Sequence, residues 1–230
     1  MPGAALLAAE AAMRGGAGYV RLLSADAPVV APAALLVDYS PLDAALGDGR
    51  WSALLVGPGL GRDAAARERL NLALGRRVPT VIDADALHLL DDDVLEGIDV
   101  SRLLVTPHEG ELASLCRSFG TPSGRSKLAR ARALSEATGL TVLAKGPDTV
   151  LAAPDGRVAF FPAASSWLST AGTGDVLAGL AASRLAVGGE PYVAAGEAVW
   201  LHAEAARLAG VAFTADDLSH NVSAAYARFL

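Results

Sequence analysis

Short apolar runs that end in glycine or in a polar residue recur along the chain and alternate with segments of helical pattern. The clearest runs are residues 53–56, Thr80–Ile82, Leu103–Val105 and Thr141–Ala144. An apolar run of this length, flanked by turn residues, is typical of a strand that is buried on both faces of a parallel sheet. The alternation therefore predicts an α/β fold with a mostly parallel sheet that helices cover.

Further elements fit the same plan. An alanine-rich helix is predicted over residues 4–14 because Gly15 and Gly16 follow it as a stop signal. Residues 19–23 are predicted to form a strand, and residues 63–75 a helix. Lys145 to Ala159 are predicted to include a hairpin.

Composition limits the classes of protein to consider. The 230 residues suffice for one sizeable α/β domain and are short for two, and 52% of them are hydrophobic. The net charge of −6 argues against a nucleic-acid or membrane-surface binder. Cys116 is the single cysteine, which fits a reducing compartment, and no secretory signal or membrane span is recognisable. We expect a cytoplasmic protein.

The residues that follow the predicted strands carry the candidate chemistry, because open α/β sheets bind ligands at the carboxyl ends of their strands. The successive strand ends are Gly57-Pro58-Gly59-Leu60-Gly61, Asp83-Ala84-Asp85, Thr106-Pro107-His108-Glu109-Gly110-Glu111 and Lys145-Gly146. Glycine permits close approach of backbone to a ligand, aspartate can orient a ligand hydroxyl or support a cation through water, and lysine can neutralise phosphate oxygens. Each segment also has an interpretation without a ligand. Gly57–Gly61 could be a plain turn, Asp83 a helix cap, His108 a surface histidine at a helix start, and Lys145 part of a solvated hairpin.

The run from Gly172 to Asp175 is the most informative motif. Gly172, Thr173 and Gly174 form a glycine-rich turn, and an apolar helical stretch then continues to Leu185. Free N–H groups and the positive end of the helix dipole meet at such a turn, which suits an anionic phosphoryl group. Asp175 could accept the proton of a hydroxyl that attacks this group. The alternative is an aspartate that merely caps the helix.

Three common motifs are absent from the sequence. No Gly-Lys-Ser/Thr follows Gly57–Gly61, so this segment is not a Walker phosphate loop. It also lacks the glycine spacing of a Rossmann dinucleotide site. The surroundings of His108 lack the spacing of a zinc helix, and we predict no metal-ligating residues.

Taken in order, these motifs resemble the ADP-dependent NAD(P)H-hydrate dehydratases, a branch of the ribokinase-like superfamily. Gly172-Thr173-Gly174-Asp175 marks the superfamily, while the Gly-Pro-Gly-Leu-Gly and Pro-His-x-Gly-Glu segments narrow the resemblance to this branch. It extends over nearly the whole chain and implies a three-layer α/β/α fold. It also implies repair of hydrated NADH or NADPH: ADP or ATP phosphorylates the added hydroxyl, and elimination of phosphate restores the reduced cofactor.

The resemblance assigns roles residue by residue. It implies that Asp175 is the base and that the N–H groups of Gly172, Thr173 and Gly174 surround the transferred phosphoryl group. The nucleotide would contact Gly174 and the segment Lys145, Gly146, Pro147, Asp148 and Thr149. The hydrated dinucleotide would contact Ala5, Gly59, His108 and Asp175, and we add Asp83 as a further substrate-binding candidate. Mg²⁺ is expected with the nucleotide, helped by Glu111 through water.

Two departures from the family pattern stand out. Residues 1–5 match a segment that usually follows a central strand, so we predict a single domain over residues 1–230 that lacks this first strand and has a gap in its sheet. Ala171 stands where many relatives have glycine, which is a mild change beside a turn.

Other functions remain open at this point. A small-molecule kinase of the same superfamily would phosphorylate a vitamin-precursor alcohol and stop there. A non-catalytic nucleotide-binding remnant would be consistent with the missing strand. A homo-oligomer and association with a cofactor-hydrate epimerase domain are also expected.

Overall fold

The computed structural model describes residues 2–24, 31–122, 124 and 126–229. Its strands are short, and most of them coincide with apolar runs that turn residues follow. Their bounds are β1 Arg21–Leu23, β2 Leu36–Asp38, β3 Leu54–Val56, β4 Thr80–Ile82, β5 Leu103–Val105, β6 Thr141–Ala144, β7 Val150–Ala152 and β8 Val158–Phe160.

The α-helices cover both faces of the strands. Their bounds are α1 Pro2–Arg14, α2 Leu42–Leu46, α3 Ala64–Leu74, α4 Asp92–Leu95, α5 Glu109–Ser118, α6 Lys127–Thr138, α7 Thr173–Ala186, α8 Pro191–Ala209 and α9 Ala215–Phe229. Short 3-10 helices span Ala84–His88, Val100–Arg102 and Ser166–Ser169. Among the helices of the described residues, none has both the length and the hydrophobicity that crossing a bilayer requires.

The larger sheet has the order β3-β4-β5-β6-β7-β8. Its first four strands are parallel, and β7 and β8 extend it as antiparallel strands. Every residue of β4, β5 and β6 is buried, as their continuous apolar runs require. The predicted α/β class and the bounds of these three strands are confirmed.

A second, smaller sheet consists of β1 and β2, which are parallel. Within the described residues, neither strand pairs with the larger sheet. A cavity of about 690 Å³ is lined by β1 on one side and β3 on the other. Alanines of α1 and α7 form another part of its wall, among them Ala5, Ala8 and Ala182.

Helices α1 and α7 pack against each other at very short distance. A Cβ atom placed on Gly179 would lie 2.1 Å from the backbone oxygen of Ala8, so only glycine fits at this crossing. Helix α7 is buried along most of its length and also packs on α8. This close packing fixes the position of the turn that precedes α7.

Several predicted bounds need small corrections. Helix α1 begins at Pro2 rather than at residue 4, and the strand predicted from residue 19 begins at Arg21 because Tyr19 is 68% exposed. Asp63 and Gly75 are the caps of α3 rather than helical residues. The predicted hairpin is present as β7 and β8, and Lys145 lies before it, at the end of β6.

Candidate functional site

Three charged residues from distant parts of the chain meet at the carboxyl ends of the strands. Asp83 follows β4, Lys145 follows β6, and Asp175 lies in the first turn of α7. The Nζ atom of Lys145 donates a hydrogen bond to Oδ1 of Asp83 at 2.7 Å, and Asp83 is only 1% exposed. A Cβ atom placed on Gly174 would lie 3.6 Å from Nζ of Lys145. The amine therefore faces the centre of the site, and its interpretation as part of a solvated hairpin is wrong.

The Asp175 carboxyl is the titratable group with the strongest sign of a chemical role. Burial and the neighbouring Asp83 carboxylate raise its pKa to about 6, although Lys145 partly opposes this change. Gly172, not Asp175, is the N-cap residue of α7, and no side chain caps this helix. The interpretation of Asp175 as a helix cap is therefore wrong. Perturbed carboxyl groups of this kind concentrate at functional sites.

The turn from Gly172 to Gly174 has a shape that ordinary residues would disrupt. Gly172 has φ 90°, and a Cβ atom there would lie 2.8 Å from Leu7 and 2.9 Å from Ala215. As the second and third residues of α7, Gly174 and Asp175 have no intrahelical acceptors for their N–H groups. The turn therefore presents free donors and the positive end of the helix dipole, as an anion site does.

The segment from Lys145 to Thr149 forms a compact loop beside this turn. The Thr149 hydroxyl donates to the Gly146 carbonyl at 2.8 Å, and the Gly146 N–H donates back to the hydroxyl at 3.3 Å. Lys127 of α6 holds the loop from below by donating to the carboxylate of Asp148 and to the Lys145 carbonyl. Pro147 and Asp148 are exposed. The predicted nucleotide residues thus share one loop that borders the α7 turn through Lys145.

Ala5 and Gly59 both line the cavity between β1 and β3. Gly57, at the start of the same turn, is required by packing: a Cβ atom there would lie 1.7 Å from the backbone oxygen of Asp83. Asp85 accepts hydrogen bonds from the N–H of Gly61 and from Arg62, so it ties this turn to the end of β4. Asp83 does occupy the N-cap position of the 3-10 helix Ala84–His88, but its side chain makes no capping bond and pairs with Lys145 instead.

His108 is the N-cap residue of α5, as expected for a histidine at a helix start. Its Nδ1 atom accepts hydrogen bonds from the N–H groups of Gly110 and Glu111, and the Glu111 carboxylate accepts from the N–H of His108. This capping box leaves the imidazole 61% exposed at the edge of the site. A contact between His108 and a ligand stays a prediction, as does the help of Glu111 for magnesium.

The residues of this site suit a magnesium ion that binds together with the nucleotide phosphates, rather than one that protein side chains hold alone. The described residues contain no group of three or more His, Cys, Asp and Glu side chains that could hold a metal ion. Mg²⁺ usually keeps several waters and binds through one or two carboxylates and the phosphates of a substrate. The Asp83 carboxylate lies near the turn from Gly172 to Gly174, beside Lys145, and meets that requirement.

Sequence reasoning missed two residues that support the site. Lys127 is an isolated lysine at a helix start, and nothing in its local pattern indicates the contact with Asp148. His202 accompanies alanines and leucines in α8 and is buried, with Nε2 2.8 Å from the Thr173 carbonyl oxygen. A polar residue on an otherwise apolar helix face is the signal that could have identified it.

Comparison with known proteins identifies relatives of this chain. The model of the NAD(P)H-hydrate dehydratase family matches residues 1–228. The bifunctional NAD(P)H-hydrate repair enzyme Nnr of Mycobacterium tuberculosis is 43% identical over 190 residues, which are 81% of this chain and 39% of that protein. This chain thus spans about two fifths of the length of this curated relative.

Solved structures show the same fold. The ADP/ATP-dependent NAD(P)H-hydrate dehydratase from Bacillus subtilis, co-crystallised with ATP and Mg²⁺, matches 100% of this chain and 86% of its own, with a TM-score of 0.81 and 27% identity. A ribokinase-like superfamily protein from Enterococcus faecalis has a TM-score of 0.81 at 22% identity, covering 99% of this chain and 83% of its own. The fold is therefore the ribokinase-like three-layer α/β/α fold, as predicted. The chain belongs to the NAD(P)H-hydrate dehydratase family.

Proposed function

We propose that this protein is a nucleotide-dependent dehydratase of hydrated NADH or NADPH, a carbon–oxygen lyase. The observation that carries the proposal is the meeting of Asp175, Lys145 and Asp83 at the free N–H groups of the α7 turn. This arrangement offers a base, a cation and an anion site within one small region. The family membership and the ADP/ATP-dependent dehydratase activity of the Bacillus subtilis relative support the same reaction.

The first step is transfer of the terminal phosphoryl group of ADP or ATP to the hydroxyl that water has added to the nicotinamide ring. Asp175 accepts the hydroxyl proton, because its carboxyl is ionised above a pKa of about 6. The N–H groups of Gly172, Thr173 and Gly174 surround the phosphoryl oxygens, and Lys145 compensates part of their charge. AMP or ADP leaves as the second product.

The second step is elimination. The C–O bond to the new phosphate breaks, a proton leaves the neighbouring ring carbon, and the ring double bond forms again. The products are inorganic phosphate and NADH or NADPH. Magnesium bound to the nucleotide would supply charge neutralisation during phosphoryl transfer, and Asp83, with Glu111 through water, would help to hold it.

We propose that the nucleotide and the hydrated dinucleotide bind to two different groups of residues. We assign the nucleotide to the loop formed by Lys145, Gly146, Pro147, Asp148 and Thr149, together with Gly174. We assign the hydrated dinucleotide to Ala5, Gly59, Asp83, His108 and Asp175. The exposed imidazole of His108 and the position of Lys145 beside Gly174 support this division.

The products separate this function from its rivals. Purified protein is mixed with NADH hydrate, Mg²⁺ and either ADP or ATP, and both the near-ultraviolet absorbance of NADH and free phosphate are followed. A dehydratase produces NADH and phosphate in equal amounts. A phosphorylated product that persists would indicate the small-molecule kinase, and nucleotide binding without turnover would indicate a non-catalytic remnant.

We also propose that residues 1–230 form a single domain whose gap between β1 and β3 is the place of a further strand. Backbone groups at a strand edge require partners, and within the described residues β1 pairs with β2 alone and β3 with β4 alone. Two buried polar atoms that lack a hydrogen-bond partner belong to residues of the cavity wall: Nε of Arg21 and Oγ of Ser183. A strand that leads into α1 would fill this space.

The broader setting of the protein stays a prediction. We propose a cytoplasmic homo-oligomer that acts together with a cofactor-hydrate epimerase domain. The Mycobacterium tuberculosis relative is a bifunctional repair enzyme, which supports a second repair activity beside this one.

A further inference from the structure

His202 occupies an unusual position for a polar side chain. It lies in α8 and is 8% exposed, and its helix contributes a row of buried apolar residues to the core, including Ala198, Leu201 and Ala205. Burying a polar ring among such residues costs free energy unless the ring makes a hydrogen bond. The partner of Nε2 is the carbonyl oxygen of Thr173, at 2.8 Å.

The protonation state of this imidazole follows from its surroundings. Burial lowers the pKa of His202 to about 4; the bond to the Thr173 carbonyl opposes this change and the nearby Lys145 charge adds to it, so the ring is neutral at physiological pH. A carbonyl oxygen can only accept, so Nε2 must carry the hydrogen and donate it. His202 is therefore a permanent neutral donor directed at the turn.

Thr173 is held on its other side as well. Its hydroxyl bonds to the carbonyls of Leu168 and Thr170, at 2.7 and 2.8 Å, and its side chain is buried. Together with the bond from His202, these contacts hold the first residue of α7. The two residues that follow it, Gly174 and Asp175, present their free N–H groups to the site.

We propose that His202 is a positioning residue for the phosphoryl-transfer site: its hydrogen bond to the Thr173 carbonyl holds the first turn of α7, and with it Asp175, in place. This inference rests on the proposed function for its consequence in catalysis, but its structural part is independent of the substrate. Small displacements of reacting groups carry large penalties, about a hundredfold in rate for about 1 Å. Loss of the bond therefore lowers kcat more than it changes KM.

Two substitutions separate the hydrogen bond from the packing. His202→Leu introduces an apolar side chain of similar bulk and removes the donor, whereas His202→Gln retains an N–H donor. Ser135→Ala is the matched control: it removes another buried hydrogen bond to a backbone carbonyl, from Ser135 to Leu140 at 2.6 Å, on α6. Melting temperature, kcat, KM for NADH hydrate and amide hydrogen exchange at Val176 and Leu177 are measured for each.

We expect His202→Leu to lower kcat about ten- to a hundredfold with KM nearly unchanged, and to speed exchange at Val176 and Leu177. His202→Gln should recover most of the kcat and most of the protection from exchange. Ser135→Ala should lower the melting temperature without changing kcat. Normal kcat in a folded His202→Leu protein, or an equal loss of kcat in His202→Leu and His202→Gln, would overturn the inference. Should wild-type protein not turn over the hydrate, the proposed function fails, and the exchange measurement alone decides the role of His202.

Discussion

At the scale of single residues, the ionisation of Asp175 connects its chemistry with the stability of the fold. Its pKa rises from 3.8 to about 6, chiefly because burial disfavours the charged carboxylate. The folded state thus binds the proton more tightly than the unfolded chain. Stability from this group is complete below the unfolded pKa and is lost as pH rises through about 6.

Asp175→Asn should therefore make the protein more stable at neutral pH. The expected gain is about 1–2 kcal/mol, since the full change in the pKa would be worth about 3 kcal/mol and the partial exposure of the group reduces it. The gain should shrink between pH 6 and pH 4 because the carboxyl of wild-type protein becomes protonated. Urea unfolding of both proteins across this range measures it, and a gain that does not change with pH would contradict the assigned cause.

Lys145→Ala tests the role of the lysine as a phosphate contact. A charge-assisted hydrogen bond contributes about 1.5–3 kcal/mol, so the affinity for ADP should fall about ten- to a hundredfold, with less effect on the dinucleotide. Calorimetric titration with ADP measures the change. Arg132→Ala, which removes an exposed cation of α6 away from the site, is the control.

The same substitution also leaves the Asp83 carboxylate buried without its partner. Breaking a buried pair in this way costs about 3–5 kcal/mol of stability. The double variant Asp83→Asn with Lys145→Met should recover stability and still bind ADP weakly. Unchanged ADP affinity in the single variant would show that the amine serves only Asp83.

At the scale of secondary-structure elements, the close crossing of α1 and α7 holds the turn from Gly172 to Gly174, which we propose binds the phosphoryl group. Gly179→Ala should destabilise the protein by about 1–3 kcal/mol, because the new methyl group overlaps the Ala8 backbone. Gly196→Ala in α8 is the matched control: its nearest contact would be 3.9 Å from Phe161, and helix propensity should make it stabilising by about 0.5–1 kcal/mol. Thermal unfolding of both variants gives the signs, and a neutral Gly179→Ala would contradict the close packing.

The elements also mark how far local pattern can predict this molecule. Strands β4, β5 and β6 follow from their apolar runs, and the polar residues after them follow from the rule for open sheets. The split between β1 and β3 was predictable only from the family pattern, because a strand's own residues do not encode its neighbour. The contacts of Lys127 and His202 could not be predicted, since each joins residues far apart in the chain. The raised pKa of Asp175 could not be predicted either, because it depends partly on Asp83, which lies far away in the chain.

At the scale of the whole molecule, the cavity between β1 and β3 predicts that one substitution changes the stability of two forms of the chain in opposite directions. Ala12 belongs to the cavity wall and is 7% exposed. In the 230-residue chain, Ala12→Leu should stabilise the fold, since the added methyl groups fill empty space. In a chain extended at its N-terminus by a strand that fills the gap, the same change should destabilise the fold, since that space is then occupied.

Melting of both chains, each with and without Ala12→Leu, measures this reversal. Ala198→Leu is the control, because Ala198 is 0% exposed in α8 and should be overpacked in both chains. The extended chain should also melt at a higher temperature than the 230-residue chain. Equal melting of the two chains, with the same sign for Ala12→Leu, would contradict a strand in this gap.

Dehydration of NADH hydrate by wild-type protein and by Asp175→Asn, at saturating ADP and Mg²⁺, is the most direct measurement of the function. Wild-type protein should release NADH and phosphate together. Asp175→Asn should melt no lower than wild type and bind ADP normally, yet lose about 10²–10⁴ of the initial rate, because the base for the hydroxyl proton is gone. A wild-type protein that is folded but inactive, or a variant that keeps more than about a tenth of the rate, would contradict the assignment of Asp175 as the base of a nucleotide-dependent dehydratase.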